Sequence, residues 1–191
     1  MLAPVGRVVA RDLIEQLVVE GKHRDAVALC VREHGPAVGR LCMALLGSQP
    51  DAEEVLQETM LAAYAQMASW RGEGTVRAWL FGIARRQCAR RFERGALERR
   101  HLRVVPDATP SSPAVSPGVS LDSMRRAEAV RAALAGLKPS EREALVLHYQ
   151  GELSFREIAE LCGIDEAAAR KRASRGLARL RKTLTSDGVE R

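Results

Sequence analysis

Aromatic side chains are scarce in this chain. Only 4% of its 191 residues are Phe, Trp or Tyr, and no segment shows the apolar-polar alternation of a half-buried strand. With alanine, leucine, arginine and glutamate abundant instead, the composition argues against a sheet and predicts helix throughout. No apolar run is long enough to cross a bilayer, and no charged start followed by an apolar core and a cleavage site marks a secretion signal. A cytoplasmic chain is expected. A phosphate-cradling glycine loop, a metal quartet and a nucleophile-base pair with supporting context are also missing, so neither catalysis nor a cofactor is expected.

Cysteine is sparse and dispersed. Cys30, Cys42, Cys88 and Cys162 include no C-x-x-C pair, and each falls among apolar or alanine-rich residues, so buried thiols are the expectation. Cys30 and His34 are four apart on a predicted helix, with His23 and Cys42 not far away, which leaves a thiol-imidazole metal site as the sharper alternative. His148, alone beside an apolar helix face, reads as a packed or half-exposed residue.

What the chain has in excess is positive charge. A formal net charge of +6 and a pI near 9.6 favour a polyanionic partner, with nucleic acid leading. Two small helical domains are predicted, 1–103 and 121–191, because 104–120 reads VVPDATPSSPAVSPGVS, in which four prolines among serines deny both helix and ladder. That linker should be an extended tether, leaving the domains without a fixed relative pose.

In the first domain, residues 7–19 form a short helix ended by Gly21. A longer one follows over 24–46, bent or broken by Gly35-Pro36 and closed by Gly47. Pro50 opens a third over Asp51 to Met67, with Val55, Leu56, Met60, Ala63 and Met67 inside. Asp51, Glu54 and Glu58, with Glu53 and Gln57 alongside, make an acidic stripe in a basic protein. The helix dipole accounts for acids in a first turn but not for Glu58, so a partner with a basic surface is the alternative. Glycines at 72 and 74 then mark a loop, Thr75 caps a long helix, and Val76, Trp79, Leu80, Ile83, Gln87, Cys88 and Phe92 trace its inner side. Arg85, Arg86, Arg90, Arg91 and Arg94 crowd its outer side. Aromatics beside a glycine loop and a cationic helix suit single-stranded DNA; the competing reading is that Trp70, Trp79 and Phe81 are core.

The second domain holds helices at 121–137 and from Pro139 to Gly151, then the most informative stretch, Leu153 to Leu184. Ser154 and Glu157 form a capping box, Gly163 supplies a left-handed break, and Asp165 caps a second helix whose buried side is Ala169, Ala173, Leu177, Leu180 and Leu184. Arg172, Arg175 and Arg179 share its other side with Arg170 and Lys171. This is a helix-turn-helix with cations concentrated on the helix that such a motif places in the major groove. The plainer alternative is an amphipathic hairpin with a solvated basic face.

In this order and spacing the pieces resemble the bacterial sigma-70 superfamily, and within it the extracytoplasmic-function (ECF) sigma factors, over nearly the whole chain. DAEEVLQETMLAAY is similar to the region-2 helix that docks on core RNA polymerase. FGIARRQCARR, following WRGEGTVRAWL, is similar to the part of region 2 that melts and reads the −10 element, and 137–184 is similar to region 4, which binds the −35 element. The resemblance implies an all-α chain that directs core polymerase to promoters without chemistry of its own. It assigns Asp51, Glu54, Gln57 and Glu58 to polymerase, and Trp70, Arg71, Thr75, Arg85, Arg86 and Arg90 to the −10 strand. Arg170, Lys171, Arg172, Ser174, Arg175 and Arg179 fall to −35 DNA.

Two departures qualify it: Arg86 stands where family members often carry Asn, and Ala167 and Ala168 stand where small polar residues are common. A mobile tether would leave the docking and DNA faces exposed in the free protein. With the sequence ending at Arg191 and no extension to act in cis, control in trans by an anti-sigma protein is expected. The competing function is a dimeric helix-turn-helix regulator of duplex DNA; an enzyme with an appended DNA-binding domain is a third class that no residue carries.

Overall fold

The structure, a computed structural model, describes residues 13–70, 72, 74–101 and 121–186, leaving aside the side chains of 96–101, 121–124 and 186. The predicted linker 104–120 lies outside the described residues, as do Arg71 and positions 7–12 of the first predicted helix. All regular structure among the described residues is helical. A short helix α1 runs through 13–19, followed by α2 (His23–Leu46), α3 (Gln49–Gln66), a 3-10 turn (Met67–Ser69) and α4 (Val76–His101). After the linker come α5 (Leu121–Ala135), α6 (Pro139–Tyr149), α7 (Phe155–Cys162) and α8 (Glu166–Ser186).

Local sequence sets most of the boundaries. Gly47, at φ 72°, ends α2 by returning its N–H to the Met43 carbonyl. The Ser48 hydroxyl accepts from Asp51 N–H and caps α3, two residues before Pro50. Thr75 caps α4 by accepting from Ala78 N–H at 3.0 Å. Of the bend or break expected at Gly35-Pro36, the break is not found: α2 is one continuous helix with Pro36 inside it. Proline removes one donor, while Ala37, Val38, Leu41 and Cys42 beyond it are buried, so packing on both sides holds the helix together.

α4 has two inner sides where a single one is expected. Val76, Leu80 and Ile83 pack with Ile14, Ala26, Leu29, Cys30, Ala63 and Met67 inside the first half of the chain. Ala78, Phe81, Ala84 and Cys88 face the other way, into a cluster that includes Leu147, Leu153, Ile158 and Ala159 of the second half. Full burial of a side chain such as Phe81 or Leu147 contributes about 1.5–3 kcal/mol. The two halves therefore share a core, and the expectation of no fixed relative pose is corrected. Two glycines allow the approach: a side chain begun at Gly82 would come within 2.9 Å of Leu161 Cδ2, and one at Gly151 within 2.8 Å of Phe81 Cε1. Phe92, assigned to the inner side, is 63% exposed instead.

Candidate nucleic-acid interface

The helix-turn-helix is built as its sequence dictates. Ser154 Oγ accepts from Glu157 N–H at 3.2 Å while a Glu157 carboxylate oxygen accepts from Ser154 N–H at 2.8 Å, closing the capping box. Gly163 turns the chain at φ 64°, and Asp165 Oδ1 accepts from Ala168 N–H at 2.7 Å to start α8. Ile158, Ala159, Ala169 and Ala173 are buried between α7, α8 and α6. Gly176 lets α8 cross α6 closely, since a Cβ there would lie 3.0 Å from the Glu141 carbonyl oxygen.

This packing leaves the other side of α8 open. Arg170, Lys171, Ser174, Arg175 and Arg179 are exposed, and Arg172 is half-buried. Arg170 is held in place by a 2.8 Å bond to Glu166 and lies 5.2 Å over the Phe155 ring, which is itself stacked on His148. Arg179 approaches the buried carboxylate of Glu141 at 3.4 Å, so it serves the fold as well as the basic face. All six predicted positions thus lie on one helix, five of them exposed.

The residues assigned to unpaired DNA are divided. Arg86 and Arg90 are exposed one turn apart on α4. Trp70 is half-buried, its ring 6.5 Å from that of Trp79 and packed against the first-half core, which favours the core reading of these aromatics. Thr75 and Arg85 turn toward the second half. Thr75 Oγ1 donates to Glu157 Oε1 at 2.8 Å; Arg85 donates from Nε to Glu143 Oε1 at 2.7 Å and from Nη1 to the Leu161 carbonyl at 3.3 Å. Burial works against the Arg85 charge, but the Glu143 carboxylate outweighs it and raises its pKa.

The acidic stripe of α3 has partners within the chain. Arg91 pairs with both Asp51 and Glu54, and Arg94 approaches Glu58 at 3.7 Å. Gln57 is exposed on the same stripe. Sequence reasoning missed what continues it: Leu61, 70% exposed, and Tyr64, 53% exposed. Their spacing at 57, 61 and 64 falls off the apolar side of α3, a signal available in the sequence but masked by the surrounding alanines. Cys30, the possible metal ligand, is wholly buried, and among the described residues no three His, Cys, Asp or Glu side chains gather as a ligand set.

No helix among the described residues is long and apolar enough to cross a membrane. The family model for sigma-70 region 2 matches residues 30–97, and that for sigma-70 region 4 matches 127–180. The chain is 34% identical over 168 residues to the RNA polymerase sigma factor CarQ of Myxococcus xanthus, a match covering 84% of this chain and 90% of that one. It is 30% identical over 158 residues to the ECF sigma factor EcfG of Rhodopseudomonas palustris, covering 81% and 83% respectively. The ECF sigma factor SigE of Mycolicibacterium smegmatis is longer: the match, 31% identical and covering 84% of this chain, spans 62% of its length.

Among solved structures, the sigma factor RpoE of Bartonella quintana, crystallised with the anti-sigma factor NepR, superposes with a TM-score of 0.70 at 25% identity, over 82% of this chain and 95% of that one. CnrH in complex with the cytosolic domain of CnrY shares the fold, with a TM-score of 0.67 at 24% identity, over 93% and 99%. With both regions present in order, and relatives at 34% and 30% identity matched over more than four-fifths of their length, the chain belongs to the extracytoplasmic-function sigma factors of the sigma-70 family.

Proposed function

We propose that this sigma factor divides its work between residues 1–103, which dock on core RNA polymerase and open and read the −10 element, and residues 121–191, which read the −35 element. The observation that carries this reading is that one chain exposes a basic recognition helix and, on α3, an acidic stripe continued by Leu61 and Tyr64. A duplex-binding repressor needs the first surface but has no use for the second, so the dimeric regulator is not favoured. Arg170, Lys171, Arg172, Ser174, Arg175 and Arg179 meet −35 DNA, the charged ones through phosphates and guanine edges. Asp51, Glu54, Gln57 and Glu58 contact the polymerase, with Leu61 and Tyr64 supplying the apolar centre of that contact.

Thr75, Arg85, Arg86 and Arg90 serve the unpaired −10 strand. Trp70 frames that site from the core, and Arg71 completes the assignment from outside the described residues. An Arg at 86 in place of the family's frequent Asn extends a charged fork toward the strand, so this chain selects a different −10 base from relatives that carry Asn. The protein works in the cytoplasm, lends no chemistry of its own, and is controlled by a separate anti-sigma factor, as the crystallised RpoE is bound by NepR. The experiment is run-off transcription: purified chain added to core polymerase should start RNA from a promoter that core alone ignores. Absence of any such promoter across a genomic library would refute the reading.

A further inference from the structure

The turn that begins a recognition helix is where such a motif meets base edges. In α8 that turn reads Glu166, Ala167, Ala168 and Ala169, none of which has a side-chain donor at neutral pH. Arg170 is therefore the first side chain of α8 able to donate to a base, and with Glu166, Ala167, Lys171 and Ser174 it lines a shallow concavity on the exposed side. Its setting differs from that of its neighbours. Lys171 and Arg175, also exposed, have no partner among the described residues. The Arg170 guanidinium is held twice: Nη2 donates to Glu166 Oε1 at 2.8 Å, and Cζ lies 5.2 Å over the Phe155 ring.

Phe155 is fixed in turn. It is half-buried at the first position of α7, packed against the shared core, and its ring is stacked on that of His148 with centroids 4.2 Å apart and planes at 21°. His148 Nδ1 donates to the Leu153 carbonyl at 2.9 Å, since a carbonyl oxygen only accepts. Contacts thus run from the turn at Leu153 through His148 and Phe155 to Arg170, and they tie the guanidinium to α6 and α7 as well as to its own helix. An exposed arginine loses many rotamers when a base orders it; one already held over a ring loses fewer.

We propose that Phe155, assisted by Glu166, is a positioning residue for Arg170: it holds the guanidinium ready for a guanine of the −35 element and so fixes which base pair that side chain reads. This rests on the assignment of Arg170 to −35 DNA made above. One N–H committed to Glu166 leaves a pair for guanine O6 and N7. The Glu166 carboxylate also repels phosphates, so the arrangement sharpens base choice at the expense of backbone attraction, the reverse of what a phosphate-binding arginine needs. The plainer account is an exposed i,i+4 ion pair, which contributes little to stability, beside a phenylalanine that only packs. The two accounts differ in sequence choice.

The full chain selects its preferred duplex from a randomised pool; the selected site is then substituted one base pair at a time, and binding is followed by fluorescence anisotropy. Arg170→Ala identifies the base pair that Arg170 reads, as the position where discrimination is lost. Phe155→Leu keeps an apolar side chain without a ring, and Phe155→Tyr keeps the ring. Phe155→Leu should lower discrimination at that same base pair by about two- to fivefold, the range for an exposed cation–π contact, while Phe155→Tyr retains it. In the Arg170→Ala background Phe155→Leu should change nothing further. Glu166→Ala, at an exposed position that does not touch the core, should lose discrimination at that base pair while binding every duplex more tightly.

The proposal is overturned if Phe155→Leu weakens binding to all duplexes alike, the mark of a residue that only supports the fold, or if its effect persists without Arg170. It is equally overturned if Phe155→Leu or Glu166→Ala leaves discrimination at that base pair intact; the −35 assignment of Arg170 then stands and the positioning alone is removed. If Arg170→Ala alters discrimination at no base pair, the assignment fails and the proposal falls with it.

Discussion

Replacing Gly151 by alanine tests the packing between the two halves of the chain. The residue follows α6, where the Gly151 N–H returns to the Val146 carbonyl at 3.0 Å and the Leu153 N–H to the Leu147 carbonyl at 3.1 Å. This wraps the chain over the end of the helix, so a Cβ at 151 would lie 2.5 Å from the Leu147 oxygen and 2.8 Å from Phe81 Cε1. Unstrained contacts to carbon fall at about 3.5–4.0 Å, so roughly an ångström must be found, and one obstacle is backbone. Overpacking of this kind costs about 1–3 kcal/mol. Taking about 2 kcal/mol, the thermal midpoint of a chain of this size falls by about 4–8 °C.

The assay is thermal unfolding followed by circular dichroism, with Gly136→Ala as the control. At Gly136 the nearest atom to a new Cβ is the Ala133 oxygen at 3.5 Å, an ordinary contact, so that variant should change stability by no more than about half a kilocalorie per mole. The clash with Leu147 is internal to the second half, whereas the clash with Phe81 arises from the packing of the two halves. An unchanged midpoint for Gly151→Ala would refute the packing described around the turn.

Arg172→Ala or Arg175→Ala should each weaken −35 duplex binding by about 1–3 kcal/mol if the lost contact is a bidentate base contact, and by less, with a shallower salt slope, if it meets phosphate alone; intact binding by both variants at moderate salt contradicts the docking of α8. Gln57→Lys, exposed and outside the ion pairs to Arg91 and Arg94, should reduce co-purification with core polymerase while leaving the thermal midpoint in place. Reversal of Asp51 and Glu54 should abolish it, but also sets like charges against Arg91, so a normal level of bound polymerase in the double variant is the informative failure. Burial pushes the Cys30 thiol from its ordinary 9.0 up to about 12, so the stability gained by keeping it neutral is complete below about pH 9 and is lost as pH rises toward 12; rapid alkylation of Cys30 in the folded protein at pH 8 would contradict its burial.

The sequence by itself determined the elements and the chemistry of α8. A capping box, a left-handed glycine and an aspartate cap are local devices, satisfied within a few residues, so Ser154, Glu157, Gly163 and Asp165 could be read without knowing what surrounds them. The basic side of α8 was legible for the same reason: a helix fixes which residues share a face. Tertiary structure alone decided which faces are occupied. The apolar positions of α4 recur so densely that one stripe and two are indistinguishable by periodicity, and only packing against both halves separates Val76, Leu80 and Ile83 from Phe81, Ala84 and Cys88. Charge behaved likewise. Asp51, Glu54 and Glu58 read as a stripe in want of a partner, yet Arg91 and Arg94, some 40 residues away, meet them first. Arg85 read as an outward cation and is held by Glu143. Ion pairs and core contacts between distant segments depend on where the chain returns, and that is set by the summed burial of both halves, which no local pattern encodes.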